Sequence, residues 1–258
     1  MARKPRVAVL HPGEMGSAVG AALVETGAEV VWRPAGRGAA SRRRADDAGL
    51  LEVDDLEGCD VVLSVCPPAA AVDVARSVVG FTGLYVDANA VSPATAESVA
   101  TAVAAGGATY VDGGIIGPPP REPGTTRLYL SGDRAGDVGN LFVDCRLEPV
   151  VVVDAGRFAA SATKMTYAAW TKVSAALLLS VHEAAERLDV DDVLRAEWEI
   201  SQPDLAERLA SAQRSATAKG WRWEAEMREI AATFAAVDLP AGFGDSAAEV
   251  FARFPRPG

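Results

Sequence analysis

The stretch Arg6-Val7-Ala8-Val9-Leu10-His11-Pro12-Gly13-Glu14-Met15-Gly16 decides how the rest of the chain is read. Apolar and β-branched residues from Val7 to Leu10 predict a buried strand, and Gly13 and Gly16 allow a tight turn with close backbone approach to a ligand. An Ala-rich helix then runs to about Glu25, so the N–H groups of Glu14, Met15 and Gly16 point out of its N-terminus as an anion site. The pattern G-x-G-x-x-G is incomplete, because His11 stands where its first glycine belongs. Gly20 offers close helix packing, Gly27 ends the helix, and Ala28 to Trp32 reads as the next strand, which completes a βαβ unit.

The chain alternates strand and helix for about 150 residues. Strands are expected at Leu50 to Val53, Asp60 to Val65, Leu84 to Asp87 and Thr109 to Val111, with helices at Ala70 to Val79 and Ala94 to Ala104. Such alternation predicts a parallel, doubly wound sheet, the α/β Rossmann class. Thr126 to Ser131 and Pro149 to Val153, around a short helix near Arg134 to Leu141, are expected to extend it. Loops at strand C-termini line the ligand crevice of such a sheet, which places Cys66, Pro67 and Asn89 beside the cofactor and a loop from Gly114 to Pro118 over its reactive end. Cys66 reads as a packing residue, since no base neighbours it in sequence.

An NAD-preferring site would end the second strand in Asp or Glu; here Trp32-Arg33-Pro34-Ala35-Gly36-Arg37 follows. Guanidinium groups suit a 2′-phosphate, so Arg33 and Arg37 point to NADP(H). Arg42, Arg43 and Arg44 read as a solvated helix start. The missing acidic residue also speaks against an S-adenosylmethionine methyltransferase, which uses a similar glycine turn.

From residue 157 no strand pattern survives. The division expected is 1–156, a nucleotide-binding domain, and 157–258, an all-helical domain with breaks near Asp189 to Asp191, Gln202-Pro203, Gly220 and Leu239 to Gly244. Its first helix, Ala159 to about Leu188, has small or apolar residues at Met165, Ala169, Val173, Leu177, Val181, Ala184 and Leu188 and is expected to be buried on most sides. Lys164 interrupts it, with Tyr167 and Thr171 on the same face.

With 25 basic and 35 acidic residues the net charge is −10, which argues against nucleic acid. No apolar run approaches the ~20 residues of a membrane span, and no secretory leader precedes the first strand, so a cytoplasmic protein is expected. Cys59, Cys66 and Cys145 lack metal or disulfide spacing, and with His11 and His182 as the two histidines no metal is expected.

Taken together, the glycine turn, Val65-Cys66-Pro67-Pro68, Asp87-Ala88-Asn89, Asp112 to Pro118 and Lys164 resemble the β-hydroxyacid dehydrogenase superfamily. That group includes 6-phosphogluconate and 3-hydroxyisobutyrate dehydrogenases, with imine reductases similar. Ala160 to Met165 and Trp221-Arg222-Trp223-Glu224 resemble a 6-phosphogluconate dehydrogenase-like branch with its own C-terminal helical domain. The resemblance implies hydride transfer between a nicotinamide cofactor and a small-molecule substrate, a homodimer formed through the helical domain, and Lys164 as general acid or base. The family's Asn three residues after the lysine is Tyr167 here. Its Val-Ser-Gly-Gly substrate loop becomes Ile115-Ile116-Gly117-Pro118, which removes a hydroxyl suited to a hydroxy acid. Carbonyl reduction, imine reduction and a non-catalytic NADPH-binding sensor all fit these residues.

Overall fold

The computed structural model describes residues 4–152 and 155–256. β1 (Arg6–Val9) is followed by α1 (Glu14–Glu25), β2 (Glu29–Trp32), α2 (Ala39–Asp47), β3 (Leu51–Glu52), β4 (Val61–Ser64), α3 (Ala71–Arg76), β5 (Leu84–Asp87) and α4 (Pro93–Ala105). Then come β6 (Thr109–Ile116), β7 (Thr126–Ser131), α5 (Ala135–Gly139) and β8 (Leu147–Val151). The eight strands form one sheet in the order β3-β2-β1-β4-β5-β6-β7-β8. All neighbours are parallel except β6 and β7, so the sheet is doubly wound as the alternation predicts, and β7 and β8 extend it. Val153, placed in the last strand by the sequence reading, lies outside the described residues.

Period-two alternation sorts the strand residues onto two cores. Val7, Val9, Val30, Trp32, Val61 and Leu63 join Val19 and Leu23 of α1 and Val138 of α5 on one face. Ala8, Val31, Val62 and Tyr85 join Ala71 and Ala75 of α3 and Val99 and Val103 of α4 on the other. Because both faces are covered, the strands read as continuous apolar runs.

One boundary differs from the sequence reading in a way that matters. The loop expected from Gly114 is strand as far as Ile116, paired antiparallel with β7 through Ile115↔Leu128 and Ile116↔Arg127. The glycines at 113 and 114 suggested a loop; pairing with β7 overrides that local preference. The chain turns only at Gly117, whose φ is +128°.

The chain divides into two compact units, Met1–Lys164 and Met165–Gly258, and the division falls inside α6 (Ala159–Ala168). The first turn of α6 belongs to the sheet unit because Ser131 and Asp112 hold its backbone, as described below.

The second unit is helical. A five-residue π-helical turn, Ala169–Val173, leads into α7 (Ser174–Arg187), followed by α8 (Asp191–Ser201), α9 (Leu205–Lys219), α10 (Trp223–Ala235) and α11 (Gly242–Ala252). The breaks fall where the sequence placed them. Met165, Leu209, Met227, Ile230 and Phe251 are fully or almost fully buried there, and Trp223 meets Phe251 edge to face at 5.0 Å. The long helix, expected to be buried on most sides, leaves Tyr167, Trp170, Leu177 and Leu188 exposed.

Candidate functional site

At the end of β1 the turn is made by Gly13, the N-cap of α1, whose N–H bonds the His11 carbonyl at 2.8 Å. Within the helix the first bond runs from Ser17 N to Gly13 O at 3.0 Å, so helix geometry directs the N–H groups of Met15 and Gly16 outward. The two glycines of the turn serve different needs. A Cβ on Gly16 would lie 2.0 Å from the His11 carbonyl oxygen, so the fold itself demands glycine there. A Cβ on Gly13 would meet nothing within 4 Å, so the open space in front of that residue is available to a ligand. This cradle fits a pyrophosphate.

His11, read from the sequence as a defect in the glycine pattern, is a working part of the turn. Its backbone has no positive φ, so the missing glycine is not needed for conformation. Its Nε2 lies 2.5 Å from Arg37 Nη2. Because a guanidinium is always a donor, Nε2 accepts and the imidazole is neutral. Burial first, then the positive charges of Arg37 and Arg33, bring its pKa down from 6.5 to about 4.

Arg44 is half-buried and donates from Nε to the Pro12 carbonyl at 3.1 Å. Arg42 pairs with Glu52 at 2.5 Å. Arg42 and Arg43 are exposed, as a solvated helix start would be, whereas Arg44 departs from that expectation because folding of α2 (Ala39–Asp47) against the turn brings it to Pro12. Arg33, Arg37 and Arg44 thus gather around the glycine turn.

At the ends of the neighbouring strands, Cys66 N donates to Asn89 Oδ1 at 2.5 Å, and Asn89 Nδ2 donates to Ser64 Oγ at 3.1 Å and to Asp87. Burial, with Asp87 adding to it, pushes the Cys66 thiol up to about 12, so it is a thiol at neutral pH and no nucleophile. Asn89 is 2% exposed, and its amide is spent on fixing the ends of β4 and β5. Pro67 is exposed beside it.

A row of polar side chains, missed in the sequence, crosses the sheet at this level. Ser64, Asp87, Asp112 and Ser131 pair in register on β4, β5, β6 and β7, and all four are buried. Asp112 accepts four hydrogen bonds: from Ser161 N (2.9 Å) and Ser131 Oγ (2.9 Å) at Oδ2, and from Ser161 Oγ (2.5 Å) and Tyr110 OH (3.2 Å) at Oδ1. Ala160 N donates to Ser131 Oγ at 3.0 Å. These oxygens satisfy the first amides of α6 from a distance, as a cap residue would. The signal available in the sequence was that each of the four is the polar end of an apolar run, Val-Val-Leu-Ser, Leu-Tyr-Val-Asp, Tyr-Val-Asp and Leu-Tyr-Leu-Ser.

Lys164 is half-buried in the turn of α6 that this row secures. Gly114 lies directly beneath it: a Cβ there would come within 2.8 Å of the Ala160 carbonyl oxygen and 2.9 Å of Lys164 Cβ. Tyr167 follows one turn later and is 48% exposed. Thr171 falls inside the π-helical turn, and its hydroxyl donates to the Tyr167 carbonyl at 3.2 Å, so the wide turn ends the simple face shared with Lys164. Ile116 is 3% exposed within β6, while Gly117 and Pro118 are exposed at the turn beyond it. Ile116 is thus a packed strand residue rather than a loop residue.

Among the described residues no helix is long and apolar enough to cross a membrane, and no group of three or more His, Cys, Asp or Glu is placed to hold a metal ion.

A doubly wound, Rossmann-like sheet with a helical C-terminal unit is the fold of the 3-hydroxyacid dehydrogenases, and comparison with solved structures places the chain there. A conserved hypothetical protein from Sinorhizobium meliloti 1021 superposes with a TM-score of 0.72 at 25% identity, covering 97% of this chain and 88% of that one. The conserved protein MTH1747, of unknown function and structurally similar to 3-hydroxyacid dehydrogenases, gives 0.71 at 28% identity over 95% of each chain. A Mycobacterium tuberculosis 3-hydroxyisobutyrate dehydrogenase solved with L-serine gives 0.70 at 17% identity, covering 97% and 94%. The same fold recurs at 19% identity in Psf3, solved with NADP+ (TM-score 0.64, covering 95% and 92%) and in an imine reductase from Pseudomonas sp. (0.58, covering 95% and 91%). The family model "Domain of unknown function (DUF1932)" matches residues 185–254, within the helical unit. No curated protein matches the sequence. The resemblance to the β-hydroxyacid dehydrogenase superfamily read from the motifs is borne out.

Proposed function

We propose that this chain is an NADP(H)-dependent oxidoreductase that moves a hydride to or from a small carbonyl or hydroxy compound, with Lys164 as general acid or base. The observation that carries the reading is the gathering of Arg33, Arg37 and Arg44 at the glycine turn, with no carboxylate at the end of β2. Fixed guanidinium donors beside the adenosine end of a dinucleotide suit a 2′-phosphate, whereas the Asp or Glu of an NAD site would repel it. The proteins sharing the fold include one solved with NADP+ and several named as dehydrogenases and reductases, which supports the same class.

In this reading Gly13, Glu14, Met15 and Gly16 hold the pyrophosphate through backbone N–H groups and the dipole of α1. Cys66, Pro67 and Asn89 line the strand ends over which the rest of the dinucleotide lies, and the bound nicotinamide supplies the hydride chemistry. Lys164 Nζ delivers a proton to the substrate oxygen as negative charge develops there, and in the opposite direction removes it. Tyr167, one turn along α6, offers a hydroxyl to the same substrate, with Thr171 further along the chain. Gly117 and Pro118, exposed at the turn, present the substrate with an apolar edge, and Ile116 packs behind them within β6.

That apolar edge is also the specific observation favouring imine reduction as the second reading: with no hydroxyl at residue 116 there is no grip for a hydroxy acid, and a C=N substrate needs none. Exposed Trp170, Leu177 and Ile200 support association of the helical unit as a homodimer.

The test is calorimetric titration with NADPH and NADH, followed by a panel of carbonyl and imine substrates with wild type and Lys164→Ala. The reading expects tighter NADPH binding, unchanged by the substitution, and carbonyl turnover reduced about 10²- to 10³-fold. Equal affinity for the two nucleotides overturns the cofactor assignment. Undiminished turnover in Lys164→Ala overturns the role of the lysine, and nucleotide binding without any turnover favours a sensor.

A further inference from the structure

We propose that His11 is a specificity-determining residue: its imidazole Nε2 holds the Arg37 guanidinium against the glycine turn, so that discrimination between a 2′-phosphorylated and an unphosphorylated adenosine ribose depends on the histidine as well as the arginine. The inference rests on the reading of the chain as an NADP(H) protein and adds to it a residue that neither motif nor fold assigns.

The geometry carries the argument. Arg37 is carried on the turn after β2, where its N–H bonds the Pro34 carbonyl at 3.0 Å and Gly36 adopts a φ of +73°. Its side chain is exposed, and a long exposed side chain samples many rotamers. The 2.5 Å contact with His11 Nε2 selects one of them and brings the guanidinium to the residue that opens the pyrophosphate turn. Arg44 makes a second tie from the same segment to the next residue, Pro12. The segment after β2 is thereby fixed to the turn at two successive positions, which couples the place where a diphosphate is held to the place where a ribose phosphate is read.

Position 11 suits this task for two reasons. Its backbone needs no glycine, so a side chain is admitted. Half-burial and the nearby guanidinium groups of Arg33 and Arg37 keep the ring neutral, with a pKa of about 4, so Nε2 remains an acceptor at physiological pH. Nδ1 then carries the hydrogen and is buried without a hydrogen-bond partner among the described residues, so the Arg37 contact is the ring's side-chain tie to its surroundings. Placing a donor group in advance removes the ordering cost at binding, and Arg37 uses only one of its N–H groups on His11, leaving the rest of its fork for a phosphate.

Calorimetric titration of the full chain with NADPH and NADH at pH 7.5 tests this with His11→Ala, His11→Gln, His11→Asn, Arg37→Ala and the His11→Ala/Arg37→Ala pair, each checked for wild-type thermal unfolding. We expect His11→Ala to weaken NADPH about tenfold and NADH by less than about twofold. Gln places its Oε1 where Nε2 lies and restores the preference, whereas Asn places its oxygen nearer Nδ1 and does not. The double variant binds NADPH no more weakly than Arg37→Ala alone, because both act through one contact. The inference is overturned if His11→Ala keeps the wild-type ratio, weakens both nucleotides equally, or adds fully to Arg37→Ala. A wild type with no NADPH preference is a different result: it removes the NADP(H) reading on which the inference stands.

Discussion

Removing the Asp112 carboxylate should unmoor the first turn of α6. In Asp112→Ala, the Ser161 N–H loses its 2.9 Å acceptor and, in a residue 0% exposed, cannot turn to solvent. A stranded buried amide costs about 1–3 kcal/mol. The hydroxyls of Ser131, Ser161 and Tyr110 rotate to other acceptors and recover part of their loss, so a total near 3 kcal/mol is expected. For a unit of this size that lowers the melting temperature by about 6–12 °C. Asn keeps one oxygen for Ser161 N and turns its amide toward hydroxyls that also accept, so Asp112→Asn should cost about 1 kcal/mol. The pH dependence has a definite sign. Burial, against the opposing hydrogen bonds, raises the Asp112 pKa above the ordinary 3.8. The native state therefore holds its proton to higher pH than the unfolded chain, and that contribution is full below 3.8 and lost as pH rises through the raised value. The stability difference between wild type and Asp112→Asn should shrink from acid to neutral pH. Urea unfolding across that range, followed by circular dichroism, measures it. An Asp112→Ala variant within 0.5 kcal/mol of wild type would refute the reasoning.

Gly16→Ala and Gly13→Ala should separate folding from binding. The first forces a methyl to 2.0 Å from the His11 carbonyl and should destabilise the sheet unit by more than about 2 kcal/mol, while the second, with nothing within 4 Å, should melt like wild type and lose NADPH affinity at least about tenfold; thermal melts and calorimetry on the pair decide. Gly114→Ala should cost about 1–3 kcal/mol by pressing on Ala160 O and Lys164 Cβ, and it should lower turnover while NADPH binding persists, as paired Kd and kcat measurements would reveal. For His11, the ordinary value of 6.5 against about 4 in the folded chain means that only the unfolded chain takes up a proton as pH falls through that window. Stability is therefore lost on acidification, by about 1 kcal/mol after allowing for the ring's partial exposure, and urea midpoints at pH 7 and 4.5 should show that slope reduced in His11→Gln.

Much of the architecture was determined by the sequence alone. The order of strands and helices, the glycine turn at Gly13 and Gly16, and the helix breaks near Pro203 and Gly220 follow from local rules: hydrophobic period, the room left by a missing Cβ and the missing proline donor. Those rules act over a few residues, so one chain segment suffices to read them. The tertiary structure decided the rest, because it depends on residues that meet only after strands far apart in sequence fall into register. Asp112 becomes a helix cap only when β7 brings Ser131 beside it and α6 descends onto both. Gly113 and Gly114 read as loop until pairing with Leu130 and Tyr129 makes them strand. His11 looks like a flaw in a glycine motif until the segment after β2, twenty-six residues on, sets Arg37 against its ring.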